Sequence, residues 1–132
     1  MNMTHTLAVF AMAFTMVCHS EPSDTITTEV LSAITHQALI VDVRTPEEFA
    51  DGHYPGAINI PHETILDGLN QLGVTQETPV ILYCRSGNRS GQAELALKSN
   101  GFSQAINAGG LEALLSATAM EASVPSSSQG TQ

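Results

Sequence analysis

The 132-residue sequence has few cysteines and few cations, and these shortages exclude several classes of protein. Two cysteines are too few for a disulfide scaffold or for a zinc site built from four cysteines. Four Lys and Arg against 13 Asp and Glu give a net charge of −9, which provides no electrostatic attraction to nucleic acid or to an anionic membrane surface. No apolar run reaches the roughly 20 residues that span a bilayer. No group of His, Asp and Glu has the spacing of metal ligands, so we predict no metal and no other cofactor.

The first twenty residues differ from the rest of the sequence. Residues 7–17 form an uncharged apolar run, and every Asp, Glu, Lys and Arg comes after Ser20. This pattern predicts a signal peptide over residues 1–20 that directs export and is cleaved after Ser20. Two alternatives stay open: a short buried N-terminal helix, and lipid attachment at Cys18, which we disfavour because Val17 is not a small residue. Removal of the leader would leave Cys84 as the single cysteine.

Apolar, β-branched runs alternate with helical patterns between residues 24 and 118. The runs typical of buried strands are 38–43, 57–60, 80–83 and 102–107. The helices are expected over 27–35, from Thr45 onward, over 65–72 and 89–99, and after the turn at Gly109-Gly110. This order predicts one α/β domain over residues 24–118, with a parallel sheet and helices on both faces. Residues 119–132 are predicted to be a disordered polar tail.

The segment after the strand at 80–83 carries the strongest functional signal. Cys84 stands at the carboxyl end of that strand, where ligands bind in open α/β sheets. The loop after it contains Gly87, whose backbone we expect to adopt an angle closed to other residues, and then a helix begins. Backbone N–H groups in such a loop bind anions and favour a thiolate over a thiol. Two of the four cations, Arg85 and Arg89, lie within five residues of Cys84, which indicates an anionic ligand or intermediate at this cysteine.

The segment from Cys84 to Ser90 (CRSGNRS) resembles the active-site loop of the rhodanese-type sulfurtransferases. The segments 42–49 (DVRTPEEF) and 52–61 (GHYPGAINIP) resemble the same family, in the expected order and spacing. The resemblance extends from about Ile26 to Ala117, and the arrangement of an exported single domain is similar to that of small periplasmic thiosulfate sulfurtransferases of bacteria. It implies the rhodanese-like fold, with a five-stranded parallel sheet that has helices on both faces. It also implies a periplasmic location.

The resemblance also implies a chemistry and a set of site residues. The Cys84 thiolate would attack thiosulfate, keep one sulfur as a persulfide, and pass it to cyanide or a thiol, with a protein acceptor also compatible. The loop residues would bind the anionic donor and the charged sulfur; they are Arg85, Ser86, Gly87, Asn88 and Arg89. One alternative is a carrier or sensing module that binds sulfur on Cys84 for a protein partner without turnover. A phosphate- or arsenate-handling hydrolase is disfavoured, because related phosphatases have a loop one residue longer.

Two charged residues in the segment 42–49 are predicted to support the site. Asp42 and Arg44 end the strand at 38–43, which lies beside the cysteine strand if the family fold holds. Arg44 could line the anion pocket, but we favour an ion pair with Glu47, Glu48 or Asp51 that fixes the loop. His53 could act as a base, although a structural, hydrogen-bonded histidine is favoured, because an ionised thiol needs no base.

Overall fold

The computed structural model of the chain describes residues 26–123. The predicted leader, residues 1–20, lies outside this range, so the signal peptide and the alternative at Cys18 stay predictions. The helices are α1 (Thr28–Thr35), α2 (Pro46–Asp51), α3 (Ile65–Gln71), α4 (Asn88–Ser99) and α5 (Leu111–Ser123). The strands are β1 (Leu39–Asp42), β2 (Ile58–Asn59), β3 (Val80–Cys84) and β4 (Ala105–Gly110), and a 3-10 turn spans His62–Thr64.

The four strands form one parallel sheet in the order β2-β1-β3-β4. This confirms the α/β class, but the five strands implied by the family resemblance are corrected to four within residues 26–123. The physical reason is that this part of the chain holds only four apolar runs that suit buried strands, and each of them forms one strand. β3 is central and fully buried along its length, so its carboxyl end, with Cys84, lies in the middle of the sheet.

Two apolar clusters cover the two faces of the sheet. Because side chains alternate along a strand, β3 contributes Leu82 and Cys84 to one cluster and Ile81 and Tyr83 to the other. The first cluster contains buried side chains of α3 and α4, and the second contains those of α1 and α5. Helices therefore pack on both faces, and Cys84 points toward the face that α4 covers.

The start of α2 follows the sequence prediction closely. The Thr45 hydroxyl accepts a hydrogen bond from the backbone N–H of Glu48, and the Glu48 carboxylate accepts one from the N–H of Thr45. Pro46 occupies the first helical turn. This reciprocal cap satisfies two backbone donors that the first turn would otherwise leave without a partner.

The last strand and the last helix both differ from their predicted bounds. The strand expected over 102–107 is Ala105–Gly110, so Gly109 and Gly110 are in the strand instead of forming a turn. Phe102 closes α4, since its N–H donates to the carbonyl of Leu97, and it cannot also start the strand. α5 continues to Ser123, so residues 119–123, predicted as part of the polar tail, are helical. Among the residues the structure describes, no helix has the length and hydropathy required to cross a membrane.

Candidate active site

The cysteine loop joins the end of β3 to the start of α4. Gly87 adopts a left-handed backbone conformation with φ of 93°, as predicted, and directly precedes the first residue of α4. This turn directs the Gly87 N–H at the cysteine sulfur, with 3.0 Å between Gly87 N and Cys84 Sγ. Cys84 is only 1% exposed. The loop therefore encloses one buried sulfur atom and presents a backbone donor to it.

The surroundings of Cys84 favour its ionised form. Burial raises the pKa of the thiol, but hydrogen bonds from the Ser90 hydroxyl and from the backbone N–H groups of Ser90, Ser86 and Gly87 outweigh burial, and the pKa lies below its ordinary value. A thiol with a lowered pKa carries more of the nucleophilic thiolate near neutral pH. The arrangement is therefore suited to nucleophilic chemistry at sulfur.

Ser90 and Asn107 form a polar network on the buried side of the loop. The Ser90 oxygen lies 3.4 Å from Cys84 Sγ and 2.7 Å from Asn107 Oδ1. Asn107 also donates from Nδ2 to the carbonyl oxygen of Gly87 at 3.1 Å and accepts from the N–H of Gly109 at 2.9 Å. Strand β4 therefore holds the loop through one amide side chain.

The backbone of β4 also approaches the loop closely. A Cβ atom on Gly110 would lie 2.5 Å from the carbonyl oxygen of Arg85, so no larger residue fits there without movement of the loop. A Cβ atom on Gly87 would lie 3.2 Å from the Cα of Gly109. Glycine at these positions allows the loop and the strand to pack against each other.

The two loop arginines have different surroundings. Arg89 forms a bidentate ion pair with Glu48, with Nη1–Oε2 and Nη2–Oε1 distances of 2.7 and 2.9 Å. This contact lowers the pKa of Glu48 to about 2 and raises the pKa of Arg89. The Cys84 sulfur also helps to raise the pKa of Arg89. Arg85 is exposed and has no acidic partner among residues 26–123. Arg85 is therefore the loop cation available to an anion from solvent.

The remaining predicted loop residues, Ser86 and Asn88, are exposed. The backbone N–H of Ser86 is one of the groups that lower the pKa of Cys84. The Asn88 side chain instead accepts a hydrogen bond from Gln92 in the next turn of α4. The structure thus directs Ser86 at Cys84 through the backbone and places the Asn88 side chain along the helix.

Asp42 and Arg44 form a buried ion pair at the end of β1. The Asp42 carboxylate accepts from Arg44 Nη2 at 2.6 Å and from the Tyr83 hydroxyl at 2.9 Å, and Arg44 Nη2 also donates to the carbonyl of Gly52 at 2.7 Å. We expected an ion pair for Arg44, but with Glu47, Glu48 or Asp51; the partner is Asp42. The chain places Asp42 two residues before Arg44, so the guanidinium turns back over the strand end and neutralises the buried carboxylate.

This pair engages Nε and Nη2 of Arg44, and it is joined by the hydroxyl of Tyr83, the residue before Cys84. The Tyr83 hydroxyl that donates to Asp42 accepts in turn from the N–H of Tyr54, and burial raises the pKa of Tyr83 to about 12. His53 has the structural role that we favoured: its ring stacks on Phe49, and Nδ1 is 2.9 Å from the Phe49 carbonyl. Asp42 and Arg44 therefore act on the site through packing between β1 and β3.

A cavity of about 290 Å³ reaches the flank of the loop between α1 and α5. Ser86 and Gly87 line it on the loop side, and Asn107 lines it on the β4 side. Within the described part of the chain, no group of three His, Cys, Asp or Glu side chains is arranged to hold a metal ion. Apolar residues also line the cavity; they are Ile26, Val30, Ala108 and Ala113. The space beside the loop is thus bounded by neutral polar groups, glycine backbone and apolar side chains.

Sequence reasoning did not select Ser90, Asn107 or Glu48 as site residues. Ser90 is predicted only as part of the loop motif, and Glu48 only as a residue near the start of α2 and as one possible partner of Arg44. Asn107 gave no distinct signal, because the predicted strand 102–107 also contains the polar residues Ser103 and Gln104.

Comparison with known proteins gives consistent matches over the described domain. The family model for rhodanese-like domains matches residues 27–117. The protein YqhL of Bacillus subtilis is 39% identical over 63% of this chain and 64% of its own length. The thiosulfate sulfurtransferase PspE of Escherichia coli is 38% identical over 54% of this chain and 69% of its own length. The solved structure of the human single-domain sulfurtransferase TSTD1 has a TM-score of 0.60 and 28% identity, and covers 70% of this chain and 96% of that one. The chain therefore spans about two thirds of the two bacterial relatives.

Proposed function

The chain belongs to the family of rhodanese-like domains, and on this premise we propose that it is a sulfurtransferase that works through a persulfide on Cys84. The donor that we propose is thiosulfate, and the acceptor is cyanide or a thiol. The observation that carries the proposal is the buried Cys84 sulfur with a Gly87 N–H donor 3.0 Å away. The names of PspE and TSTD1, both sulfurtransferases, support the same reaction class.

The proposed reaction has two steps at sulfur. In the first, the Cys84 thiolate attacks the outer sulfur of thiosulfate, the sulfur–sulfur bond of the donor breaks, and sulfite leaves with the electron pair. The persulfide that remains carries its negative charge on the terminal sulfur. In the second step, the carbon of cyanide attacks that sulfur, the persulfide bond breaks, thiocyanate leaves, and the thiolate returns. Persulfide formation oxidises the Cys84 sulfur at the expense of thiosulfate, cyanide reverses that change in the second step, and the protein is unchanged over the whole cycle.

The loop supports both steps through charge and hydrogen bonds. Backbone donors directed at Cys84 stabilise negative sulfur and need no reorganisation during the reaction. Arg85 supplies the positive charge that a dianionic donor needs in order to approach a chain of net charge −9. Arg89, which we expected to attract the donor as well, is neutralised by Glu48, so we assign it to holding the loop.

A direct assay tests this function. Purified protein mixed with thiosulfate and cyanide should form thiocyanate, and the Cys84→Ser variant should form none. Thiocyanate formation that survives in Cys84→Ser would contradict the proposal. Stable gain of one sulfur without thiocyanate formation would instead support the carrier alternative, in which a protein partner takes the sulfur.

Export to the periplasm is a separate part of the proposal, and its support is the sequence of residues 1–20 alone. Cell fractionation followed by intact-mass measurement tests it. A periplasmic protein that begins at Glu21 supports cleavage of a signal peptide. A lipid-modified N-terminal Cys18 would support the anchored alternative, and an intact cytoplasmic chain would contradict export.

A further inference from the structure

The side-chain amide of Asn107 has one permitted orientation. Its Nδ2 faces the carbonyl oxygen of Gly87, which only accepts, and its Oδ1 faces the N–H of Gly109, which only donates. A flipped amide would place two donors together and two acceptors together. Oδ1 is therefore the atom that faces the Ser90 hydroxyl at 2.7 Å, and in this pair only Ser90 can donate, with the same proton that it can also offer to Cys84.

The same hydroxyl lies 3.4 Å from the Cys84 sulfur. A serine hydroxyl has one proton and two lone pairs. While its proton points at Asn107, Ser90 presents a lone pair to Sγ, which suits a thiol that donates its S–H and opposes a thiolate. Stabilisation of the thiolate by Ser90 requires the O–H to turn away from Asn107 and toward the sulfur.

We propose that Asn107 is a positioning residue that competes with the Cys84 thiolate for the single proton of the Ser90 hydroxyl. No proton passes between Ser90 and Cys84: the thiol proton leaves to solvent, and the O–H only rotates about its C–O bond. The consequence for turnover rests on the proposed function. When the negative charge moves to the terminal sulfur of a persulfide, Sγ becomes neutral and the hydroxyl can return to Asn107.

Several charged groups surround Cys84 and act on it independently of Ser90. Arg89 of α4 lies near Cys84 and forms an ion pair with Glu48 of α2. Arg85 follows Cys84 in the loop. The Asp42–Arg44 pair ends the neighbouring strand β1. β4, which carries Asn107, has no charged residue, and α5 contributes the exposed Glu112 at its first turn. These charges are the same in variants that carry Ala at position 90 or 107. A comparison of those variants therefore isolates the competition between Asn107 and Cys84 for the hydroxyl proton of Ser90.

A pH titration of the Cys84 thiolate in four proteins tests the proposal. The ultraviolet absorbance of the thiolate is measured in the full chain. The absorbance of the Cys84→Ser variant is subtracted from it, which removes the contributions of Cys18 and the tyrosines. Asn107→Ala should lower the thiol pKa by about one unit, because the Ser90 proton is then available to the sulfur. Ser90→Ala should raise the pKa. In the Ser90→Ala background, Asn107→Ala should change the pKa by no more than about 0.3 units, since no proton remains to compete for.

A purely structural Asn107 gives a different pattern. Its removal would loosen the loop and the Gly87 donor, and would raise the pKa of Cys84 in both backgrounds, which would overturn the proposal. Shifts of equal size with and without Ser90 would do the same. Should Asn107→Ala fail to fold, Asn107→Asp replaces it: the carboxylate is a stronger acceptor, so the pKa should rise more with Ser90 present than in the Ser90→Ala background, and equal rises would overturn the proposal. The titration needs no sulfur donor, so its failure and the failure of the proposed function are separate results.

Discussion

Arg89 and Glu48 form a bidentate ion pair between residues that lie 41 positions apart in the chain. Arg89 is in the first turn of α4, directly after the cysteine loop, and Glu48 is in the first turn of α2. Glu48 also completes the cap of its own helix through the N–H of Thr45. One carboxylate thus joins the start of α2 to the end of the loop that encloses Cys84.

Replacement of Glu48 should weaken its contact with Arg89 and its hydrogen bond with the N–H of Thr45. Glu48→Gln is expected to lower the free energy of unfolding by about 1 kcal/mol, because the ion pair is lost and the neutral amide accepts the hydrogen bond from Thr45 N–H more weakly than the carboxylate does. Urea unfolding at neutral pH measures this. Glu47→Gln is the matched control, since Glu47 lies in the same helical turn, is exposed, and has no ion pair in the described structure. An equal loss in both variants would show that the helix dipole alone accounts for the effect.

The contribution of Glu48 to stability should depend on pH in a defined window. Its pKa falls from an ordinary value of 4.5 to about 2 in the folded chain. A carboxyl with a lowered folded pKa stabilises the fold fully above its unfolded pKa and loses that contribution as the pH falls toward the folded pKa. The difference in unfolding free energy between the protein and Glu48→Gln should therefore shrink as the pH is lowered from 4.5. A difference that stays constant from pH 7 to pH 3 would contradict the ion pair.

Arg85 should control the affinity for an anionic donor. Arg85→Gln is expected to raise the KM for thiosulfate by about 10-fold at low salt, with a smaller effect at high salt, because an exposed charge is screened. Steady-state kinetics at two ionic strengths measure this. Lys98→Gln is the control: it removes one positive charge as well, but Lys98 is paired with Glu94 on the exposed side of α4. Equal KM changes in the two variants would indicate that net charge, not position, matters.

Glycine at position 87 should be required for the backbone N–H of that residue to point at the Cys84 sulfur. Gly87→Ala is expected to destabilise the protein by about 1 kcal/mol, because φ is 93°, and to raise the pKa of Cys84, because the backbone donor moves away from the sulfur. Gly73→Ala is the matched control, since Gly73 also has a positive φ, 71°, with open space around it. Gly73→Ala should show a comparable loss of stability with an unchanged thiol pKa. A thiol pKa that stays unchanged in Gly87→Ala would contradict the assigned donor.

Most of the fold could be predicted from local patterns. The apolar run of β3 forms a strand that is buried along its whole length, and the cap of α2 needs only Thr45, Pro46 and Glu48 within four residues. The start of β4 was misplaced because Phe102 has strand propensity but serves to close α4. The extension of β4 to Gly110 depends on the pairing of Gly110 with Cys84 across a register shift, which no local pattern contains.

The site could be predicted in part, for a similar reason. Cys84, Gly87 and the loop arginines are adjacent in sequence, so their pattern indicates an anion-binding loop. The partner of Arg44 was misjudged because several carboxylates lie near it in sequence and only the direction of its side chain selects Asp42. The contact of Ser90 with Asn107 depends on the pairing of β3 with β4, which includes a register shift between Leu82 and Cys84, and a single sequence does not specify such a shift.

The most direct test of the account is the location of sulfur after the first of the two proposed steps. The protein is mixed with thiosulfate without an acceptor, and its intact mass, its peptide masses and the released sulfite are measured. We predict a gain of one sulfur atom on Cys84, with one sulfite released per protein and no gain in Cys84→Ser. A protein that gains no sulfur, or that carries it on a residue other than Cys84, would contradict the central claim.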